Sequence, residues 1–350
     1  MNNKTMVLGI ETSCDETAAA VVADGRFVLS NIISSQIETH RIYGGVVPEI
    51  ASRKHVEAIS FVVNEALQQA KCSLDDIQAI AVSNGPGLVG ALLVGLSFAK
   101  SIAFAKNLPL IGVNHIYSHI CANYLEDENF EPPFICLVVS GGHTHLLEVI
   151  DQSNYVVLGR TRDDAAGEAF DKVGRSLGLP YPGGPEIDRL APKGDPKSIA
   201  FPRASFENSL DFSFSGLKSA VLQYLHKNPN DIQTNRENIA ASFQQAIIDV
   251  LVSRTLEACQ QKGYKKVALA GGVAANKGIR TAFEMACKEH ELTIKMPAMA
   301  YCTDNAAMVA SGGFFHHLNG KSDSLDLNAY PNMDCVPPAK LLLQDVASLS

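Results

Sequence analysis

Two histidines stand four residues apart in the segment His115-Ile116-Tyr117-Ser118-His119. On a helix this spacing places both imidazoles on one face, close enough to bind one metal ion. Because two neutral ligands hold a divalent ion weakly, we expect a distant carboxylate to complete the site. Asp304 is one candidate, but it also stands where a cap of the following helix would stand, and spacing alone does not pair it with the histidines.

The same spacing occurs in zinc proteases, where a glutamate directly follows the first histidine and acts as the base for a metal-bound water. Here that position is Ile116, which cannot accept a proton. A lone histidine pair at this spacing is more often structural than metal-binding, and the residues disfavour a metalloprotease.

Three glycine-rich turns follow predicted strands, at Ser83–Gly87, Ser140–Thr144 and Gly271-Gly272, the last opening a helix that carries Asn276. Such turns let backbone N–H groups approach an anion closely. None matches the Walker A pattern or the dinucleotide fingerprint. A single turn of this kind is more often purely structural, whereas three together indicate a phosphate-bearing ligand.

Several carboxylates could act on such a ligand. Glu11 and Asp15 lie in the polar tip of a predicted hairpin, where acids are usually solvated but could hold Mg²⁺ or order a water beside a phosphate. Asp171 and Asp188 could pair with an amine or hydroxyls of a ligand, or serve as helix caps or surface acids.

The elements that position these residues form a doubled pattern. Strand–polar turn–strand occurs over residues 6–23 and 134–150, and strand–glycine turn–helix over residues 77–106 and 266–289. We predict an α/β protein of two similar lobes with the polar turns converging on a cleft. The predicted lobes are residues 1–132, onto which a last helix from about 304 packs back, and residues 133–318 with an insertion at about 163–235. Residues 319–350 form a tail of unknown role.

Composition limits the function classes. The 350 residues, 46% hydrophobic and 19% charged, suffice for two cores. A net charge of −8 without an obvious basic stripe argues weakly against unaided nucleic-acid binding. The eight scattered cysteines, with no C-x-x-C pair, indicate a reducing cytoplasm and no cysteine-ligated zinc. We expect a cytoplasmic protein with no targeting segment, no membrane span and no membrane partner.

Longer sequence motifs identify a protein family more specifically than these single residues do. GIETSCDET, YGGVVPEIASRKH, GPGLVGALLVG, HxxxH, VSGGHTHL, DDAAGEAFDKVGR, YPGGP, FSFSGLK, AGGVAAN and CTDNAAM occur in one order between Met6 and Gly313. In this the chain resembles the universal tRNA threonylcarbamoyltransferase family (TsaD, formerly Gcp). The resemblance implies two ribonuclease-H-like lobes of the acetate/sugar kinase–Hsp70–actin type around a central cleft.

The resemblance also implies an activity and its residues. The family transfers a threonylcarbamoyl group from threonylcarbamoyl-AMP to the N6 amine of the adenosine 3′ of the anticodon in tRNAs reading ANN codons, releasing AMP. Position by position, the implied metal ligands are His115, His119 and Asp304. The implied substrate-binding residues are Val138, Val139, Ser140, Gly141, Gly142, Asp171, Gly184, Asp188 and Asn276.

Cofactors and partners follow from the same resemblance. We expect one divalent metal, Fe(II) in preference to Zn(II), with Mg²⁺ accompanying the nucleotide. The implied partners are tRNA, a TsaB-like inactive paralogue and a TsaE-like ATPase. As an aromatic amine loses its proton late in acyl transfer, Glu11 or Asp15 could accept it. The alternatives are a non-catalytic partner subunit, which would lack the metal triad, and a small-molecule kinase of the same fold.

Overall fold

A computed structural model describes residues 4–335, which form two compact units. Unit 1 comprises residues 4–132, Ile150–Val156 and residues 304–335; unit 2 comprises Pro133–Val149 and Val157–Thr303. This division differs from the predicted lobes in that Ile150–Val156 belongs to unit 1. Residues 304–318 also belong to unit 1, the lobe onto which the sequence predicts that the last helix packs. Residues 336–350 of the predicted tail lie outside the described residues.

Ten strands occur in the described residues. In chain order they are β1 Met6–Glu11, β2 Glu16–Ala23, β3 Phe27–Ser35, β4 Ala79–Gly85, β5 Leu110–Asn114, β6 Phe134–Val139, β7 Thr144–Val149, β8 Tyr155–Arg160, β9 Lys266–Ala270 and β10 Thr293–Lys295.

Eleven α-helices occur in the same range. They are α1 Ile37–Arg41, α2 Pro48–Gln69, α3 Val89–Lys106, α4 His115–Cys121, α5 Ala166–Ser176, α6 Gly183–Leu190, α7 Ser215–Lys227, α8 Asp231–Thr234, α9 Arg236–Lys262, α10 Lys277–Glu289 and α11 Ala306–Leu318.

The two sheets share one topology. Unit 1 has the strand order β3-β2-β1-β4-β5, and unit 2 has the matching order β8-β7-β6-β9-β10. In each sheet the first strand pairs antiparallel with its successor and parallel with the strand on its other side. The predicted α/β class and doubled pattern are confirmed. Parallel strands end at the same edge of a sheet, so the residues that follow β4 and β5 are neighbours.

The residues that form these elements bury their apolar side chains in two cores. In unit 1, Leu8, Ile10 and Ile80 of the sheet pack with apolar residues of α2 and α3. In unit 2, Phe170 and Phe243 lie in the core, with their ring centroids 5.4 Å apart. Strands β1, β4 and β6 are almost continuously buried, which explains why they read as unbroken apolar runs.

Helix α3 is, by length and composition only, apolar enough to cross a membrane. Its Leu92, Leu96 and Ala99 are buried, and two of them belong to the core of unit 1. A single apolar helix that packs in a core meets the same criteria as a span.

The segment after α11 packs along unit 1. Asp323 N donates to Leu110 O at 2.8 Å, and Tyr330 N donates to Asn84 O at 2.8 Å. Near the end of the described residues, Asn114 Nδ2 donates to the backbone oxygen of Asp334 at 3.3 Å. We call residues 319–335 the C-terminal strap, because they contact β5 at its start (Leu110) and its end (Asn114), and β4 near its end (Asn84).

Candidate metal centre and substrate-binding residues

Helix α4 carries both histidines at the point where β5 ends. The side chain of Asn114 accepts hydrogen bonds from Ile116 N at 2.9 Å and Tyr117 N at 3.1 Å, which caps the helix and fixes where it begins. All seven residues of α4 are buried. His115 and His119 lie one turn apart with ring centroids separated by 4.7 Å, as the spacing predicts.

Asp304 reaches the histidines because α11 lies against the sheet of unit 1. Gly9 makes this approach possible, since a Cβ there would lie 2.3 Å from Ala306 O. The cap of α11 is Asn305, whose side chain accepts from Met308 N at 3.1 Å. The carboxylate of Asp304 is therefore not the cap of this helix, which was the alternative that the sequence left open.

The three side chains converge. Asp304 Oδ1 lies 3.6 Å from His115 Nε2 and 3.3 Å from His119 Nε2, and one ligand atom from each residue falls within 4.8 Å of the others. His119 is fully buried, and neither of its ring nitrogens makes a hydrogen bond, although Asp304 Oδ1 lies 3.3 Å from Nε2. A buried nitrogen that makes no hydrogen bond is costly, and a metal ligand bond would satisfy it. The donor set thus fits a single divalent metal ion.

Glu11 contacts His115 at Nδ1, whereas Asp304 lies near Nε2, the other nitrogen of the ring. Its Oε2 lies 3.1 Å from His115 Nδ1 and also accepts a hydrogen bond from Ser83 Oγ, while its Oε1 accepts from Ser13 N. Ser13 Oγ lies 3.2 Å from the same Nδ1. A carboxylate that accepts from Nδ1–H leaves Nε2 as the ligand atom, which is the usual arrangement behind metal-bound histidine.

Charge around His115 favours a cation. Burial opposes protonation of His115, but Asp304 and Glu11 outweigh it and raise its pKa to about 9. Burial likewise opposes ionisation of Glu11, whereas the charge of His115 and the Ser83 hydrogen bond outweigh burial and lower its pKa. The pocket therefore carries negative charge that would stabilise a metal ion.

Asp15 lies in the same turn as Ser13 and is 7% exposed. The pKa of its neighbour Glu16 is raised well above the ordinary value by burial and by the charges of Asp15 and Asp304. The hairpin tip is thus a buried acidic cluster, and the usual interpretation of such a tip as solvated is wrong here.

In unit 2, the end of β6 and the turn that follows it carry five of the implied substrate-binding residues: Val138, Val139, Ser140, Gly141 and Gly142. Ser140 N donates to His143 O at 2.8 Å and closes the turn. Gly141 and Gly142 are exposed, and a Cβ on either would meet no atom within 4 Å. Gly271 lies against the end of β6. Its φ of +88° favours glycine, and an added Cβ would lie only 2.3 Å from Val139 O, so a larger residue does not fit.

Asp188 and Asn276 meet at the start of α10. The two carboxylate oxygens of Asp188 accept from Lys277 N at 2.9 Å and Gly278 N at 3.1 Å. Asn276 caps the same helix by accepting from Ile279 N at 2.9 Å. Both residues thus cap α10, which for Asp188 is the alternative role that the sequence left open. Each carboxylate oxygen of Asp188 still has a lone pair that could accept from a ligand hydroxyl.

Asp171 and Gly184 lie at a second junction. Asp171 Oδ1 accepts from Gly183 N at 2.8 Å and joins α5 to the start of α6. A Cβ on Gly184 would have only Phe170 within 4 Å, so this part of the α6 backbone is open.

Sequence reasoning missed the residues that support the metal helix. Tyr117 stacks between Tyr155, at 5.5 Å, and His316, at 4.8 Å, and donates a hydrogen bond to Gln152 O. No local pattern links these positions, which are far apart in the chain. Asn114 could have been found, because asparagine directly before a helix is a common cap.

Comparison with known proteins decides the family. The family model described as TsaD, tRNA N6-adenosine threonylcarbamoyltransferase, matches residues 27–311. A protein of that name from Clostridium botulinum (strain Kyoto / Type A2) is 56% identical over 335 residues, covering 95% of this chain and 98% of the relative. The chain belongs to this family. A relative of the same name from Clostridioides difficile (strain 630) is 56% identical over 330 residues, covering 94% of this chain and 98% of the relative.

Solved structures of low identity share the fold. HypF of T. kodakarensis aligns with a TM-score of 0.62 at 16% identity, covering 93% of this chain and 49% of HypF. Component A of the (R)-2-hydroxyglutaryl-CoA dehydratase of Acidaminococcus fermentans aligns with a TM-score of 0.53 at 17% identity, covering 90% and 99% of the two chains.

Membership confirms the resemblance read from the motifs. The chain is a tRNA N6-adenosine threonylcarbamoyltransferase of the TsaD family, and tRNA is its substrate. Its His-His-Asp site is compatible with one divalent metal.

Proposed function

We propose that the chain transfers threonylcarbamoyl from threonylcarbamoyl-AMP to the N6 amine of the adenosine 3′ of the anticodon in tRNAs reading ANN codons. The observation that carries this proposal is the convergence of His115, His119 and Asp304, together with buried ring nitrogens of His119 that make no hydrogen bond. A non-catalytic subunit would gain nothing from such a set, and a small-molecule kinase has no evident use for it.

The metal that these three residues would hold is Fe(II) by preference, with Zn(II) as the second choice, since both accept two imidazoles and a carboxylate. When bound, the ion supplies Lewis-acid polarisation and a template for donor oxygens. Mg²⁺ could accompany the nucleotide.

The transfer itself breaks one bond and forms one. The lone pair of N6 forms a bond to the carbamoyl carbon, and the bond from that carbon to the phosphate oxygen breaks, with AMP taking the electron pair. Backbone N–H groups of Gly141 and Gly142 would donate to donor oxygens, because their turn is exposed and open. Asp188 and Asn276, at the start of α10, would contact the nucleotide, with Asp188 on the ribose hydroxyls.

The remaining substrate-binding positions support the same donor. Val138 and Val139 are the last residues of β6, so they fix where the turn begins. The backbone oxygen of Val139 lies close to Gly271. Asp171 and Gly184 lie at the start of α6, where an open backbone could accommodate the threonyl part of the donor.

The proton of the amine needs an acceptor. Both oxygens of Glu11 are already engaged, one with Ser13 N and the other with Ser83 and His115, so we assign Glu11 to positioning His115. Asp15 is then the candidate that accepts the proton as AMP leaves.

Partners and compartment complete the proposal. The family resemblance supports a TsaB-like paralogue and a TsaE-like ATPase as partners, and the net charge of −8 is in line with shared tRNA binding. The eight free cysteines are consistent with a reducing cytoplasm.

The test is a reconstituted transfer. Purified chain, partner proteins, threonylcarbamoyl-AMP and unmodified tRNA are combined, and the tRNA nucleosides are measured by mass spectrometry. We expect threonylcarbamoyl-adenosine with the wild type, a loss with His119→Ala, and wild-type yield with His290→Ala, which alters an exposed histidine at the end of α10. Absence of modified adenosine with the wild type would overturn the proposal, as would full yield with His119→Ala.

A further inference from the structure

Two of the sequence motifs meet in a buried polar network of unit 1. The motif YGGVVPEIASRKH, to which the proposed function gives no role, runs from Tyr43 to His55 and ends within α2. The motif GIETSCDET runs from Gly9 to Thr17 and contains the turn between β1 and β2. His55 is fully buried, and its imidazole forms a hydrogen bond with the backbone of that turn.

The hydrogen bonds of His55 fix its tautomer. Nε2 lies 2.9 Å from the backbone oxygen of Cys14, which can only accept, so Nε2 carries the proton. Nδ1 of the neutral ring is then an acceptor, and the hydroxyl of Thr17 donates to it at 2.7 Å. Burial lowers the pKa of His55 despite the hydrogen bond to Cys14, so the ring is neutral near pH 7.

A second buried histidine, His40 of α1, supports this arrangement. Val47 N donates to His40 Nδ1 at 3.3 Å, so Nδ1 is an acceptor and Nε2 of His40 carries the proton. That Nε2 lies 3.2 Å from Oε1 of Gln36, which directs the amide nitrogen of Gln36 toward Nδ1 of His55, at 3.4 Å. The network therefore runs in one direction of donors and acceptors, from the backbone at Val47 to the ring of His55.

The turn that this network reaches is held at three successive carbonyl groups. The donors are Leu88 N to Ser13 O at 2.8 Å, His55 Nε2 to Cys14 O at 2.9 Å and Gln36 N to Asp15 O at 3.0 Å. Two of these donors are backbone N–H groups, and His55 supplies the third from its side chain. A substitution of His55 therefore removes one support of the turn and leaves the other two in place.

We propose that His55 is a positioning residue for threonylcarbamoyl transfer, which sets the place of the Asp15 carboxylate by holding the turn at Cys14. The inference rests on the proposed function, in which Asp15 accepts the proton of the amine. The carbonyl of Cys14 belongs to the peptide unit that precedes Asp15, and this unit is planar, so a shift of the carbonyl moves Asp15 as well. A misplacement of about 1 Å can cost about 100-fold in rate.

The test compares removal and retention of the donor at position 55. His55→Leu removes both hydrogen bonds of the ring, and we expect the single-turnover transfer rate at saturating donor and tRNA to fall by roughly 10- to 100-fold. His55→Gln can place an amide N–H near the position of Nε2 and should keep most of the wild-type rate. The half-saturating donor concentration and the metal affinity should match the wild type in both variants, because neither variant alters a residue assigned to those sites.

Ser311→Ala is the matched control. Ser311 is fully buried, and its hydroxyl donates to Gly25 O at 2.6 Å in the turn between β2 and β3, so this variant also removes a buried side-chain bond to a hairpin turn. We expect lower stability to urea and an unchanged transfer rate. Circular dichroism checks folding, and if His55→Leu does not fold, Thr17→Val takes its place. Thr17→Val removes only the donor to Nδ1 and should lower the rate with unchanged metal affinity.

A double variant shows whether His55 acts through Asp15. When His55→Leu is added to Asp15→Asn, the further loss of rate should be less than about twofold, because two residues that act as a unit are not additive.

Histidine-selective two-bond ¹H–¹⁵N spectra test the network without any measurement of activity. We expect the neutral Nε2–H tautomer for His55, assigned by the signals that are missing in His55→Gln. The Nδ1–H tautomer would overturn the inference.

The remaining outcomes are distinct. A full single-turnover rate in folded His55→Leu, or an equal fold-loss from this change in the wild-type and Asp15→Asn backgrounds, overturns the inference and leaves the proposed function standing. A similar loss of rate in Ser311→Ala would assign the effect to stability alone and also overturns it. A wild type that modifies no tRNA overturns the proposed function, and this inference with it.

Discussion

Glu11 Oε2 lies 3.1 Å from Nδ1 of His115, the ring nitrogen that does not face Asp304. Glu11 is fully buried, and the same Oε2 also accepts a hydrogen bond from the hydroxyl of Ser83. It favours Glu11 as the residue that orients the ring of His115, in place of the proton acceptor that its position in the hairpin tip first indicated.

This relationship predicts different effects for two acids. Glu11→Gln should lower metal affinity by about 10- to 100-fold, because the amide oxygen accepts less strongly from Nδ1–H, and transfer should recover at high metal concentration. Metal affinity is measured by competition with a chromogenic chelator. Recovery with metal is not expected from a lost general base.

Asp15→Asn should behave in the opposite way. Metal affinity stays at the wild-type value, and the single-turnover transfer rate falls by about 10²- to 10⁴-fold, the usual contribution of a positioned base. Rapid-quench measurements at saturating donor and tRNA give this rate. If Asp15→Asn and Glu11→Gln both keep the full single-turnover rate, neither acid accepts the proton.

Asn114 has two separable contacts, the cap of α4 and the hydrogen bond to the strap at Asp334. Asn114→Ala removes both and should reduce the free energy of unfolding by about 1–2 kcal/mol. Asn114→Asp keeps the cap acceptor but loses the donor, so it should cost less. Urea unfolding of the metal-free protein measures both. Ser73→Ala, which removes a cap from an exposed turn, is the control and should leave metal affinity unchanged.

Gly9 allows α11 to bring Asp304 to the histidines. Gly9→Ala places a Cβ 2.3 Å from Ala306 O, so the helix must shift, and both stability and metal affinity should fall. Gly216→Ala is the matched control, because a Cβ on that residue of α7 meets nothing within 4 Å. The control should be neutral or stabilising by about 0.5–1 kcal/mol, as expected for glycine in a helix. Equal metal affinity in the two variants would contradict the role given to Gly9.

His316 predicts a dependence of stability on pH. Burial lowers its pKa from 6.5 to about 3, so the folded protein holds it neutral while the unfolded chain protonates it below about pH 6.5. Its contribution to stability is therefore complete above pH 6.5 and is lost as the pH falls toward 3, with a slope of up to about 1.4 kcal/mol per pH unit.

Urea unfolding of metal-free protein between about pH 5 and 7.5 would show this slope. His316→Gln removes the titrating group, so the difference between wild type and variant should shrink as the pH falls. A difference that is independent of pH would show that His316 does not titrate in this way.

The sequence by itself determined the fold class, the family and the pairing of His115 with His119, because these depend on local periodicity and on motifs read along the chain. Four-residue spacing on a helix places two side chains together whatever surrounds them. The strands β1, β4 and β6 were predictable for the same reason, as buried parallel strands are unbroken apolar runs.

The tertiary structure distinguishes between the roles that spacing alone left open for the acids. Asp304 is a metal-ligand candidate because Gly9 admits α11 and Asn305 takes the cap, and we assign Glu11 to positioning because the ends of β1 and β4 bring it to Ser83 and His115. A carboxylate in a sequence has the same chemistry in either role. Only its neighbours, which come from distant parts of the chain, determine whether it binds a metal, orients a ring or accepts a proton.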